Sequence, residues 1–319
     1  MNIGLISVDS HNFPSLPLMK ISAWHKQQGD DVEWYNPFTH YDLVYKSKVF
    51  ANTADYLYPI NADNVVRGGT GYAIHGAGGE HYCKADDKPL PYEIEHIYPD
   101  YDLYGIKDTA YGFLTRGCPR GCDFCIVAKK EGQCSVKVAD LSEFWNGQKN
   151  IVLCDPNILA CREWRDLLGQ LEDSKALIDL NQGLDARMLT KEKCEAIGKL
   201  HIKEIHFAWD RYEDKKIILP KLEMFASKCT AMPNQHNAIV YVLVNHGSTI
   251  EQDLERIYTL RDLGYWAYVM VYDKPHSSQT IRDMQRWCNN RYIFGSCPRF
   301  EDYGKTIEHK DKRQLELFE

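Results

Sequence analysis

The chain has 319 residues, 44% hydrophobic and 26% charged, with 21 glycines and 13 prolines; this suits one large or two modest globular domains and excludes disordered, collagen-like and low-complexity classes. Thirty-eight Lys and Arg against 45 Asp and Glu leave a formal charge of −7, which excludes a surface coated in basic groups for non-specific nucleic-acid binding. No apolar run approaches the roughly 18 residues needed to span a bilayer, and the start MNIGLISVDS lacks the pattern of a secretion signal, so a cytoplasmic protein with no membrane contact is expected. There, eleven cysteines point to metal or redox chemistry rather than to structural disulfides.

The first hundred residues open with an apolar strand, Asn2 to Val8. An amphipathic segment from Leu16 to Gln28 follows, then short strands at Val32 to Tyr35, Asp42 to Tyr45 and Asn64 to Arg67, the last running into Gly68-Gly69. This βαβ beginning predicts a compact Rossmann-like N-terminal domain over about 1–100. Its end is a linker from about residue 76, rich in Gly, Pro, Tyr and charge. From Ala110 strand and helix patterns alternate. Strands are predicted at 110–115, 151–154, 176–181, 204–209, 238–244 and 266–272, and helices at 141–148, 162–171, 191–200, 215–228, 250–263 and 280–289. Six βα units in succession predict a partial (βα)6 TIM-like barrel over about 101–290, with its chemistry at the carboxyl ends of the strands. Residues 291–319 form a C-terminal extension. The fold class expected is therefore α/β throughout.

Directly after the first strand of the barrel stands Leu114-Thr115-Arg116-Gly117-Cys118-Pro119-Arg120-Gly121-Cys122-Asp123-Phe124-Cys125. Iron-sulfur clusters generally take four thiolates, so a Cys-x3-Cys-x2-Cys loop suits a [4Fe-4S] cluster with one iron left open for substrate or cofactor. Arg116 and Arg120 offset the cluster's negative charge in that reading, and the glycines let backbone amides approach the sulfurs. A zinc loop with Cys134 as fourth ligand and three unconnected thiols are the alternatives.

Cys118, Cys122 and Cys125, with the aromatic Phe124 before the last cysteine, at the end of the first strand of a βα array, resemble the radical S-adenosylmethionine superfamily over about Tyr111 to Tyr272. Within it, TRGCPRGCDFC is most similar to members carrying an N-terminal cobalamin-binding-like or methylthiotransferase-like domain. The resemblance implies that the open iron is chelated by S-adenosylmethionine. One electron from the reduced cluster, supplied by a donor such as flavodoxin or ferredoxin, then cleaves the cofactor to methionine and a 5′-deoxyadenosyl radical that abstracts a substrate hydrogen. The family's Gly-Gly-Glu segment is replaced by Cys154-Asp155-Pro156-Asn157, where Asp155 or Asn157 is the substitute expected to hold the methionine amino group. Asp9-Ser10-His11 keeps part of a cobalamin-type motif, but Pro14 stands in place of its glycine, and bound cobalamin is not expected. The alternative to an enzyme is a non-catalytic iron-sulfur or zinc protein for electron transfer or assembly.

Other candidates follow the strands. Gln182, Asp185 and Arg187, in the loop expected after the third barrel strand, are assigned to orienting the cofactor, Arg187 through the cofactor carboxylate; a helix-capping loop is the alternative. Asp210 is assigned to ribose hydroxyls or substrate, and Asn245-His246 and Tyr272-Asp273 are similarly placed. His75, Glu80 and His81 are a candidate metal cluster, with a solvated loop as the alternative, while Cys83 and Cys297 show no partners at ligand spacing. Cys154, Cys161, Cys194, Cys229 and Cys288 read as buried small hydrophobes. The tail Gln314-Leu315-Glu316-Leu317-Phe318 resembles the peptide by which bacterial replication and repair proteins dock on the sliding clamp. The resemblance implies that clamp as a partner through Gln314, Leu315, Leu317 and Phe318; packing of the tail on the barrel is the alternative.

Overall fold

The computed structural model describes residues 1–9, 13–75, 81–229 and 237–303. His11, Glu80 and the clamp-like tail, Gln314 to Phe318, lie outside the described residues. The chain divides into two compact units, Met1–Asp179 and Leu180–Glu319. Among the described residues no helix is long and apolar enough to cross a membrane.

In the first unit β1 (Asn2–Ser7), β2 (Asp31–Trp34), β3 (Tyr41–Ser47) and β4 (Ala62–Gly68) form an all-parallel sheet in the order β2-β1-β3-β4. β1 lies between two neighbours and is covered on both faces, which is why it reads as a continuous apolar run rather than an alternating one. The helix Leu16–Gln27 packs Leu18 and Ile21 on Ile3 and Leu5, with Ile94 completing that cluster. Ile6, Tyr41 and Val44 form the second cluster. Several polar groups on the helix are paired. Buried His25 bonds Asp30 at 2.6 Å and the Tyr45 hydroxyl at 3.0 Å, while Ser22 and Lys26 both donate to Asp100 at 2.6 and 2.7 Å. Asp9, at the end of β1, accepts from the Val49 and Phe50 amides at 2.8 and 2.7 Å. Its carboxylate thus fastens the segment after β3.

A short antiparallel ribbon of β5 (Ile74–His75) and β6 (His81–Tyr82) follows. Further strands are β7 (Thr109–Gly112), β8 (Thr115–Arg116), β9 (Val136–Lys137), β10 (Asn150–Leu153), β11 (Leu177–Asp185), β12 (His201–Ala208), β13 (Ala238–Val244) and β14 (Trp266–Val271). Six of them form a parallel sheet in the order β7-β10-β11-β12-β13-β14, so each strand lies beside its successor in sequence. Helices follow β10 to β14 in turn, at Trp164–Ser174, Lys191–Ile197, Lys215–Lys228, Ile250–Asp262 and Gln279–Asn289.

Three expectations are corrected. The strand foreseen over 110–115 is broken between β7 and β8, because the Leu114 and Thr115 amides are captured by the Asp155 carboxylate instead of a neighbouring strand. The helix foreseen over 141–148 is a single 3-10 turn, Leu141–Glu143. Its capping box starts it, but Gly147 adopts φ +86° and the Trp145 indole bonds the Gln148 carbonyl at 2.8 Å, which turns the chain toward β10. Gln182 through Asp185, foreseen as loop, continue β11. Gly183 permits this, since a side chain there would press on the Tyr241 ring and Ala208 from 3.0 and 3.3 Å.

Candidate functional site

The three cysteines sit in an excursion closed at its base by two antiparallel residue pairs, Thr115 with Lys137 and Arg116 with Val136. Gly117 makes the turn into it at φ +84°, and a Cβ there would stand 2.2 Å from the Cys134 carbonyl oxygen, so only glycine fits. The Cys118 amide donates to Gly132 O at 3.1 Å, and the Cys125 amide to Cys122 O at 3.1 Å, folding the Cys-x2-Cys segment into a turn. Glu131 gathers the entrance. Its carboxylate accepts from Arg116 at 2.9 Å and from the Gly117 amide at 3.1 Å, while the Arg116 guanidinium lies 3.4 Å from the centre of the Phe113 ring. Cys118, Cys122, Cys125 and Phe124 are half-buried, and Cys134 is exposed. Arg116, expected to balance cluster charge, is thus partly neutralised by Glu131.

Beneath the excursion lie the residues that follow β10. Asp155, almost fully buried, accepts from the Leu114 amide at 3.1 Å and from the amide and hydroxyl of Thr115 at 2.5 and 2.7 Å. Burial pushes its carboxyl up to about 6, against the pull of these donors. Asp155 is therefore occupied in holding the start of the cysteine excursion. Asn157 differs. It is 1% exposed, its amide nitrogen donates to Cys118 Sγ at 3.5 Å, and its carbonyl oxygen has no partner among the described residues. A buried acceptor left empty costs about 1–3 kcal/mol, so its retention calls for a ligand or a catalytic reason. Cys154, between β10 and Asp155, has its thiol pushed up to about 12 by burial, with the nearby Asp155 charge adding to the effect, and stays a neutral thiol.

A cavity of about 670 Å³ adjoins the base of the excursion, with Ser47, Gly68, Leu90, Phe113, Arg116 and Lys130 on its walls.

In the second unit Arg187 is held by two carboxylates, Nε to Asp185 at 2.6 Å and an Nη to Asp214 at 2.9 Å. Asp185 also caps the turn after β11 by accepting from the Arg187 amide at 3.1 Å. Gln182 is exposed on β11, its amide 3.4 Å from Asn181 Oδ1. Asp210, after β12, has its carboxyl pushed up to about 6 by burial, with Arg256 and Arg187 opposing. Asn245, after β13, adopts φ +62° and donates to Tyr272 O at 2.9 Å. Asp185, Arg187 and Asp210 therefore form one electrostatic group, while Asn245 is fixed to the start of the loop after β14.

Sequence reasoning missed Arg256. Fully buried, it donates to the carbonyls of Trp209 at 2.7 Å, Asp210 at 2.9 Å and Leu243 at 2.7 Å, and to Asp253 at 2.5 Å. It thereby ties the carboxyl ends of β12 and β13 together and fixes the backbone of Asp210. The available signal was a charged pair, Asp253 and Arg256, on the same helical face as Ile257 and Leu260.

A scan of protein-family models finds none that matches the chain, and a search of curated proteins finds no relative.

Proposed function

We propose that the chain is a radical S-adenosylmethionine enzyme in which Cys118, Cys122 and Cys125 ligate a [4Fe-4S] cluster. In this reading the four-stranded sheet belongs to a Rossmann-like N-terminal domain and the six parallel strands to a partial (βα)6 barrel. The sequential strand order supports that winding, since each βα unit lays its strand beside the last. The observation that carries the proposal is Asn157. A side-chain amide aimed at a cysteine sulfur suits a thiolate that carries charge, as a cluster ligand does, and hydrogen bonds to such sulfurs tune a cluster's potential. Its empty, buried carbonyl oxygen suits an N–H donor, which is what the amino group of S-adenosylmethionine presents.

When bound, the cluster supplies the electron for reductive cleavage of the sulfonium. The protein's own residues provide placement. Asp155 and Gly117 fix the first cysteine, Glu131 steadies the excursion, and Asn157 receives the amino group. Asp210 is assigned to ribose hydroxyls, with Arg256 holding its backbone. Arg187, already engaged by Asp185 and Asp214, acts on the cofactor by keeping that group of charges in place rather than as an unpaired guanidinium. Gln182 and Asn245 remain cofactor contacts in this proposal.

The test is anaerobic reconstitution with iron and sulfide, reduction, addition of S-adenosylmethionine, and chromatography of nucleoside products beside a Cys122→Ala control. The expected results are about four irons per chain, a changed electron paramagnetic resonance signal of the reduced cluster on adding cofactor, and 5′-deoxyadenosine from the intact chain alone. A cluster whose signal ignores the cofactor and that yields no deoxyadenosine would mark the protein as an electron carrier instead.

A further inference from the structure

The ribbon of β5 and β6 pairs His75 with His81, and the Cys83 amide continues the pairing by donating to Ala73 O at 2.7 Å. Cys83 is two residues beyond His81, so it projects from the same ribbon face as His75. The chain then turns, the Asp86 amide donating to Cys83 O at 3.2 Å, and returns a carboxylate to that face. Consequently His75 Nε2, Cys83 Sγ and an Asp86 carboxylate oxygen lie within 4.8 Å of one another, with His75 Nε2 and Asp86 Oδ2 2.7 Å apart. Cys83, which has no partner by sequence spacing, thus acquires two through the fold. Of the residues proposed from sequence only His75 belongs to the trio.

We infer that His75, Cys83 and Asp86 bind a divalent transition metal, Zn2+ by the chemistry of the donors, independently of the cysteine excursion. One imidazole, one thiolate and one carboxylate make a nitrogen, sulfur and oxygen set of the kind that zinc accepts, and their two negative charges match a dication. Tetrahedral bonds of roughly 2.0 to 2.3 Å separate ligand atoms by roughly 3.5 Å, so small side-chain rotations bring the trio to the ion. Binding releases the Cys83 thiol proton, shifts the Nε2 proton of His75 to Nδ1 (or to solvent if the ring is charged), and replaces the His75–Asp86 hydrogen bond with two metal bonds. His75 and Asp86 are exposed, which leaves the fourth position to water. The ion has a structural consequence. It joins the two limbs of the ribbon just before Asp87, Lys88, Pro89, Leu90 and Pro91, which line the 670 Å³ cavity, and so fixes one wall of it.

The full-length chain, reduced and freed of metal with a chelator, is titrated with Co2+ and then with Zn2+ as competitor. The expected result is one equivalent of tetrahedral cobalt with a thiolate charge-transfer band. That band persists when Cys118, Cys122 and Cys125 are all replaced by alanine and disappears in Cys83→Ser; His75→Ala and Asp86→Ala each weaken binding at least tenfold. A band that survives Cys83→Ser, or that is absent from a loop variant with wild-type circular dichroism, overturns the inference. Should the loop variant misfold, His75→Gln in the cluster-reconstituted protein decides: zinc measured by mass spectrometry falls from one per chain to near zero, and unchanged zinc refutes the site.

Discussion

Removing the Asp155 carboxylate is the most informative single perturbation of the cysteine excursion. Three donors converge on it, the amides of Leu114 and Thr115 and the Thr115 hydroxyl, and both residues are fully buried. Asp155→Ala strands the two amides, while the hydroxyl can rotate to another acceptor. At about 1–3 kcal/mol for each stranded group the loss is about 2–6 kcal/mol, a large part of the 5–15 kcal/mol of a typical domain. Asp155→Asn keeps one acceptor and costs less, but it removes a titration. The folded carboxyl sits near 6, above its ordinary value of 3.8, so its stabilisation is fully present below about pH 4 and is lost as pH rises through 6. Two units correspond to roughly 3 kcal/mol. Urea unfolding of the cluster-free wild type and of Asp155→Asn, measured from pH 4 to 8, isolates this group because the other carboxyls cancel in the difference. The wild type should gain about 2 kcal/mol on the variant between pH 6 and pH 4 and nothing between 7 and 8. A pH-independent difference would refute burial as the dominant influence on this carboxyl, and Asp155→Ala within 1 kcal/mol of wild type would refute its role as the clamp.

Other perturbations separate the parts of the site. Gly117→Ala places a Cβ against the Cys134 carbonyl in a left-handed backbone conformation; iron loading should fall at least tenfold with circular dichroism unchanged, and normal loading would contradict the geometry. Asn157→Leu should still assemble a cluster but bind S-adenosylmethionine at least tenfold more weakly, read from the cofactor-induced change in the resonance spectrum; unaltered affinity removes Asn157 from the cofactor site. Arg256→Met leaves the buried Asp253 without its counter-ion, still held by the Ser248 hydroxyl, and should cost about 3–5 kcal/mol in urea unfolding, with Asp253→Leu in the same chain restoring most of it. Failure of that rescue would mean that Arg256 acts through its carbonyl contacts at β12 and β13 alone.

Much of this arrangement was legible in the linear chain. The apolar run of β1, the alternation of strand and helix after Ala110 and the cysteine spacing are local properties. They depend on the chain's own period, on side-chain solubility and on allowed backbone angles, all of which a sequence displays directly. The two sides of the excursion's base were not legible as such, because β8 and β9 are only two residues each, too short for any period to show.

What only the tertiary structure decided is which polar groups are used up and which are left open. Asp155 and Asn157 are two residues apart and look interchangeable in the sequence, yet Asp155 is saturated by residues 40 and 41 positions away while Asn157 keeps an empty acceptor beside Cys118. Arg187 read as an available cation until the fold supplied Asp214, and Cys83 read as solitary until a ribbon and a turn delivered His75 and Asp86. Residue type sets what a group can donate or accept; chain folding sets how much of that capacity is consumed, because hydrogen bonds and metal bonds are satisfied over distances of about 2 to 3.5 Å in space, without regard to separation along the chain.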